Sequence, residues 1–126
     1  MGTIAYARIN RGCNQAKLVE QVAALKREGA SVVFTDVASG NDLDRPGLAK
    51  VMAAVSTGDL LLVENISRIA RDSSHLCAVL EDLVQRGVGV KSLSDHVDLN
   101  SETGKLLFDL AKAVVAKQAS LMHRTN

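Results

Sequence analysis

Four short runs of apolar residues alternate with longer segments in which apolar residues recur at helical spacing. The runs lie near positions 3–9, 31–35, 60–63 and 88–93, and their length and β-branched content are typical of buried strands. Between them, apolar side chains return every three or four positions, most clearly at Leu76, Val79, Leu80 and Leu83. The pattern predicts the order β-α-β-α-β-α-β-α.

Residues typical of helix ends border these segments. Asn14 and Ser101 can cap the first and last helices, Pro46 fits the first turn of the second, and Gly29 and Gly87 end the first and third. We therefore predict an α/β fold with three layers. A mainly parallel sheet of four or five strands has helices on both faces, and a long C-terminal helix follows.

The last helix is expected at about 101–122. Its apolar stripe either folds onto the sheet or forms a surface for a partner, and the stripe comprises Leu107, Leu110, Ala111 and Val114.

Composition narrows the class of protein. The 126 residues indicate one domain, and 47% hydrophobic residues suffice for a core. A net charge of +1 argues against non-specific coating of nucleic acid. Cys13 and Cys77 lack metal-ligand spacing and are expected to be free thiols in a reducing cytoplasm. We see no leader peptide and no run long enough to cross a bilayer.

Several arginines follow predicted strands or open the next helix. The carboxyl ends of parallel strands share one edge of the sheet, so these side chains should converge there. Arginine binds two phosphate oxygens at once, and the cluster therefore predicts a phosphate site. Asp36, after the second strand, either orients an arginine or takes part in the chemistry. The arginines are Arg8, Arg11, Arg45, Arg68 and Arg71.

Two common phosphate-handling folds do not fit. The loops contain neither GxxxxGK[ST] nor GxGxxG, so a nucleotide-cofactor site is not indicated. A phospho-receiver domain needs acidic residues after its first strand to bind magnesium, whereas this chain has Arg8 and Asn10 there.

Several motifs, in order and at matching separations from about Ile4 to Thr125, resemble the catalytic domain of serine recombinases, the resolvase/invertase group. They are Tyr6-Ala7-Arg8-Ile9, Phe34-Thr35-Asp36, Ala38-Ser39-Gly40, Asp44-Arg45-Pro46-Gly47-Leu48, Gly58-Asp59-Leu60, Ile66-Ser67-Arg68-Ile69-Ala70-Arg71, Arg86-Gly87-Val88 and Thr103-Gly104-Lys105.

The resemblance implies site-specific DNA recombination through a phosphoserine link, without metal or other cofactor. In this group a serine attacks a DNA phosphodiester, arginines neutralise its oxygens, and synaptic tetramers exchange strands around the long C-terminal helix. The implied partners are DNA, through its phosphate backbone, and a homodimer or tetramer of the chain. The implied setting is the cytoplasm, with a bacterial, phage or mobile-element origin. The phosphate-binding positions are Arg8, Arg45, Arg68 and Arg71, with Asp36 as the acidic partner.

The chain departs from the group's pattern at three places. The position of the nucleophile holds Asn10, whose carboxamide cannot form a phosphoester. Ser67 stands where the group usually has aspartate, and Lys117-Gln118 stand where it has an acidic residue and arginine. Cys13, Ser39 and Ser67 are either candidates for a replacement nucleophile or ordinary loop residues. Nothing specific positions Cys13, while Ser39 and Ser67 could line the same pocket without a precedent in the group. The helix-turn-helix domain that follows in resolvases and invertases is not expected within residues 1–126.

Three functions remain open. The first is a recombinase catalytic domain that cannot cleave because of Asn10. The second is a non-catalytic module that dimerises, with itself or with an active recombinase, and regulates it. The third is a small enzyme acting on a phosphorylated metabolite, which explains the arginines but not the order of the motifs.

Overall fold

The computed structural model describes residues 2–38, 45–70 and 73–94. Within them, four parallel strands form one sheet, whose members are Thr3–Ile9 (β1), Val32–Val37 (β2), Leu60–Val63 (β3) and Gly89–Ser92 (β4). The spatial order is β2-β1-β3-β4. The chain thus adds β2 on one side of β1 and then adds β3 and β4 on the other side. The gap between β1 and β3 is the topological switch point, where ligands bind in sheets of this kind.

Helices cover both faces of the sheet. They are Gln15–Arg27 (α1), Pro46–Ala54 (α2) and Ser73–Gln85 (α3), and a 3-10 turn, Ile66–Arg68, follows β3. Leu25 of α1 packs on the face that carries Ala5 and Ala7. On the opposite face, α2 and α3 bury aliphatic side chains against Ile4 and Tyr6. The predicted parallel α/β fold with helices on both faces is confirmed.

The boundaries of two strands differ from those predicted. β2 continues through Asp36 to Val37 because Arg8 and Ile9 of β1 pair with these two residues. β4 is shorter than predicted and spans only Gly89–Ser92, since β3 offers four partners. Asp36 is therefore the penultimate residue of β2 rather than the residue at which the strand ends.

The helix ends expected at Asn14, Gly29 and Gly87 lie where the sequence places them. The Asn14 side chain accepts a hydrogen bond from the amide of Ala16 at 2.9 Å. Gly29 and Gly87 have φ of 107° and 76°, a region that side chains disfavour. The predicted C-terminal helix at about 101–122 lies outside the described residues and stays a prediction.

Candidate functional site

The site lies at the carboxyl edge of the sheet, at the switch point between β1 and β3. Arg8 is the penultimate residue of β1, and Arg68 ends the 3-10 turn that follows β3. Arg45 immediately precedes α2. The structure thus brings Arg8, Arg45 and Arg68 together, as the sequence predicts. Arg71 lies outside the described residues, and its place in the site stays a prediction.

Arg8 is 1% exposed, and protein acceptors surround its guanidinium. Nε donates to the carbonyl of Arg68 at 2.9 Å, and Nη2 donates to the carbonyl of Ser67 at 2.9 Å. Nη1 donates to the carbonyl of Ala38 at 2.7 Å and to Oδ1 of Asn10 at 2.6 Å. The side chain therefore ties the ends of three strands together. It also fixes the side chain at position 10.

Gln21 explains how the backbone of Arg8 is held. Along β1, the even-numbered residues direct their backbone groups toward β3, as the bond from Leu60 N to the Gly2 carbonyl indicates. β3 ends at Val63, opposite Tyr6, so Arg8 extends beyond it. The Gln21 carboxamide accepts from Arg8 N at 2.9 Å and donates to Arg8 O at 3.2 Å. A buried glutamine thus replaces the missing strand neighbour.

Arg45 is 3% exposed and lies beside the same turn. Its Nη1 donates to the carbonyl of Arg68 at 3.2 Å and lies 3.5 Å from the hydroxyl of Tyr6. Its Nη2 lies 3.4 Å from Nε2 of His75. The Arg68 carbonyl thus accepts from both Arg8 and Arg45, which holds two buried guanidinium groups close together.

Asp36 is joined to the helix that Arg45 precedes. Its carboxylate accepts from the amides of Gly47 at 2.8 Å and Leu48 at 2.9 Å, and from the hydroxyl of Tyr6 at 2.7 Å. The carboxylate therefore caps α2, a task that the Arg45 side chain does not perform. Its link to Arg45 runs through the shared Tyr6 hydroxyl.

Tyr6 is fully buried between these charged groups. Burial, and secondly the hydrogen bond to the Asp36 carboxylate, raise the pKa of its phenol above the ordinary value of 10.0. The hydroxyl therefore stays protonated and can donate to Asp36 throughout the neutral range.

Arg68 differs from the other two arginines because part of its guanidinium is unused. Its Nη2 donates to Glu64 at 3.1 Å in a half-exposed pair. Its Nε is buried and has no hydrogen-bond partner within the described residues. A buried N–H without an acceptor costs about 1–3 kcal/mol, so such a donor is typical of a place where a ligand supplies the acceptor.

Two sequence candidates for a replacement nucleophile, Cys13 and Ser67, do not direct their side chains into the cluster. Cys13 is exposed, and its amide donates to the carbonyl of Asn10 in a turn. Ser67 is exposed, and its hydroxyl donates to Oδ1 of Asn65. Arg11 is exposed in the turn after β1. Ser39 lies outside the described residues.

Three residues near the arginines were not assigned to the site from the sequence. Tyr6 lies two positions before Arg8, and strand alternation places both on one face. Gln21 interrupts the apolar stripe formed by Leu18, Val22 and Leu25, and this interruption could have identified it. His75 precedes an apolar stripe and carries no comparable signal.

The described residues include neither a candidate metal site nor a candidate membrane span. No group of His, Cys, Asp or Glu side chains among them could hold a metal ion. None of the helices described is both long and apolar enough to span a membrane.

The chain resembles known proteins over nearly its whole length. The family model "Resolvase, N terminal domain" matches residues 3–125. The chain is 34% identical over 119 residues to a DNA-invertase of Enterobacteria phage P7, covering 94% of this chain and 63% of the relative. It is 32% identical over 129 residues to the transposon Tn3 resolvase of Escherichia coli, covering 100% of this chain and 69% of the relative. The chain thus spans about two thirds of the length of these relatives.

The fold has a counterpart among solved structures. The N-terminal catalytic domain of TP901-1 integrase superposes with a TM-score of 0.81 at 21% identity, covering 94% of this chain and 97% of that one. At this identity the likeness concerns the fold alone. Together with the family match and the sequence relatives, it leads to one conclusion: the chain belongs to the resolvase N-terminal domain family of serine recombinases.

Proposed function

We propose that this domain binds the phosphate backbone of DNA at its arginine site, in a system for site-specific recombination, and that it cannot cleave the strand itself. The observation that carries the proposal is the buried Nε of Arg68, which has no partner among the described residues, in a residue whose backbone carbonyl accepts from the guanidinium groups of Arg8 and Arg45. A phosphodiester oxygen is an acceptor of suitable charge for such a donor. The sequence relatives, a DNA-invertase and a resolvase, support DNA as the ligand.

We propose a different role in phosphate binding for each of the three arginines. Arg68 has an unused donor and contacts the phosphate. Arg45, held by the Arg68 carbonyl, adds charge from beside the turn. Arg8 is enclosed by protein acceptors, so in this conformation it positions the turn and residue 10. Arg71 remains proposed as a fourth phosphate-binding residue on the strength of the resemblance alone.

The lack of cleavage is inferred from the chemistry of position 10. Transfer of a DNA strand to the protein requires an oxygen nucleophile that attacks phosphorus and expels the 3′-oxygen. The side chain of Asn10 is a carboxamide whose oxygen accepts a hydrogen bond from Arg8. It has no hydroxyl to form the phosphoester. DNA bound at this site is therefore expected to stay intact.

DNA binding with matched arginine variants tests the proposal. Fluorescence anisotropy with a labelled duplex is measured for the wild type, Arg68→Met and Arg27→Met. Arg27 is exposed at the far end of α1, so its variant makes the same change of charge away from the site. We expect Arg68→Met to weaken binding by about ten- to a hundredfold, since a charged hydrogen bond contributes about 1.5–3 kcal/mol. Equal affinities for the two variants would refute the site.

Denaturing electrophoresis of the same mixtures tests the second part of the proposal. We expect no covalent protein–DNA adduct with the wild-type chain. An adduct that survives denaturation would overturn the inferred lack of cleavage, whatever the outcome of the binding experiment.

Assembly is proposed on the basis of the family and the sequence pattern. We infer that the chain forms a homodimer, with a tetramer when two DNA sites meet, in the cytoplasm of a bacterial host. The apolar stripe containing Leu107 and Leu110 supports this inference. Sedimentation of the wild type and Leu107→Asp tests it. A wild-type chain that is monomeric at every concentration would contradict it.

A further inference from the structure

We propose that Asn10 is a phosphate-binding residue, whose side-chain amide donates a hydrogen bond to a non-bridging oxygen of an intact phosphodiester. This inference rests on the proposed function of the arginine site. It gives position 10 a positive role in binding, beyond the loss of a nucleophile.

The orientation of the Asn10 carboxamide is determined by Arg8. A guanidinium has donors and no acceptor, so only Oδ1 of the amide can face it. Arg8 Nη1 donates to that oxygen at 2.6 Å, and the remaining bonds of the buried guanidinium hold Nη1 in place. The amide nitrogen, Nδ2, must therefore point away from Arg8.

The backbone also fixes Asn10. The amide of Cys13 donates to the Asn10 carbonyl at 3.1 Å, which closes a four-residue turn. Gly12 has φ of 86° at the third position of this turn, where a type II turn requires a positive value. Asn10 is thus anchored by its carbonyl and by its side-chain oxygen, and its Nδ2 is presented in a defined direction.

The Asn10 amide nitrogen has no hydrogen-bond partner within the described part of the chain, and the side chain is half-exposed. The Arg68 turn, with its unpartnered Nε, is bonded to the same Arg8 guanidinium. The two unused donors, one neutral and one charged, thus belong to residues that the same Arg8 guanidinium contacts, Asn10 through its side-chain oxygen and Arg68 through its backbone carbonyl. This arrangement suits an anion that has several acceptor oxygens.

A phosphodiester fits these donors, whereas a cation does not. The surrounding arginines exclude cations, and a phosphodiester offers two non-bridging oxygens for Asn10 and Arg68 to share. A serine would supply a nucleophile at this position, whereas asparagine supplies only a donor. The substitution therefore favours holding a DNA backbone over cutting it.

Titration of the 15N-labelled chain with dimethyl phosphate, the simplest phosphodiester, tests the inference. The side-chain NH2 resonance of Asn10 is assigned by its absence in Asn10→Ala. In the wild type we expect this resonance to shift on titration. We also expect Asn10→Ala to weaken binding about tenfold, the loss of one hydrogen bond to a charged acceptor.

Asn10→Asp provides a sharper comparison of nearly the same shape. It removes the donor and adds a negative charge, so we expect it to weaken binding more than Asn10→Ala does. Gln85→Glu is the matched control, since Gln85 is exposed at the end of α3 and its side chain bonds Glu81 on the same helix. This control makes the same amide-to-carboxylate change and is expected to bind like the wild type.

The outcomes separate the two proposals. Suppose that the wild type binds dimethyl phosphate and that Arg68→Met binds it less tightly. If Asn10→Ala then binds as tightly as the wild type, and the Asn10 resonance of the wild type does not shift, the role of Asn10 is refuted and the arginine site stands. If the wild type binds neither dimethyl phosphate nor duplex DNA, both proposals fail. The shift is measured on the wild type and does not depend on the affinity of any variant.

Discussion

Arg8 and Arg68 are the same residue type at the same edge of the sheet, yet their surroundings give them different tasks. Arg8 donates to three backbone carbonyls and to Asn10, whereas Arg68 leaves a buried Nε without an acceptor. A buried charge is tolerated when its donors are satisfied. Arg8 is therefore integral to the fold in this state, whereas Arg68 is the residue that we propose contacts a phosphate.

Tyr6 provides a test at this scale because it is the only tyrosine and the chain has no tryptophan. Its pKa is raised in the folded protein, so the unfolded chain loses the phenolic proton first as pH rises. Stability from this group is fully present below about pH 10 and is lost above it. We expect unfolding free energy to fall above pH 10 in the wild type and much less in Tyr6→Phe, with phenolate absorbance reporting the ionisation.

Phenolate absorbance that rises near pH 10 in the still-folded protein would contradict this account of Tyr6. The same titration in denaturant is the control, since there the phenol should ionise near its ordinary value.

The start of α2 shows how one element supports the site. The Asp36 carboxylate caps this helix through the amides of Gly47 and Leu48, which fixes the position of Arg45 just before it. The helix can approach β2 so closely only because residue 47 has no side chain. A Cβ there would overlap the carbonyl of Thr35 and lie 2.9 Å from the Asp36 carboxyl carbon.

Gly47→Ala is expected to push α2 away from β2 and to destabilise the domain by about 1–3 kcal/mol, the usual cost of overpacking. Arg45 should shift with the helix, so DNA binding should weaken as well. Gly2→Ala is the matched control, since its added Cβ would lie 3.8 Å from the nearest side-chain atom. Urea unfolding measures both. A Gly47→Ala variant as stable as the control would show that the close approach is unnecessary.

Predictability also differs between elements. The order of strands and helices follows from local apolar runs and terminal glycines, which the sequence displays directly. The convergence of Arg8, Arg45 and Arg68 follows from the shared edge of a parallel sheet. The sequence could not distinguish the enclosed Arg8 from the available Arg68, because the carbonyls that enclose Arg8 come from separate loops. The role of Asp36 as a helix cap depended likewise on the packing of α2 on β2.

Across the whole molecule, the two edges of the sheet have different roles. The carboxyl edge gathers the arginines and half-satisfied donors. At the amino edge, Asp59 accepts from the amides of Gly2 and Ser56, and these bonds lower the pKa of its carboxyl. One edge thus carries the proposed phosphate site, and the other connects the start of β1 to β3.

Asp59 predicts that the stability of the domain depends on pH through the bonds at the amino edge. Because the pKa of the Asp59 carboxyl is lowered on folding, the contribution of this group to stability is present above the ordinary value of 3.8 and is lost as pH falls below that value. At neutral pH, Asp59→Asn should be less stable than the wild type, and the difference should vanish in acid. Its DNA affinity at neutral pH should match the wild type. A stability difference that persists unchanged in acid would contradict the proposed bonds.

We propose above all that the Arg68 Nε at the switch point donates a hydrogen bond to a phosphate oxygen. The most direct test follows the arginine Nε–H resonances of the labelled protein during titration with duplex DNA. We predict that the Arg68 resonance shifts as its proton gains an acceptor. The Arg8 resonance should change little, since that Nε already donates to a carbonyl. Saturation of the protein with DNA while the Arg68 resonance stays in place would contradict the account.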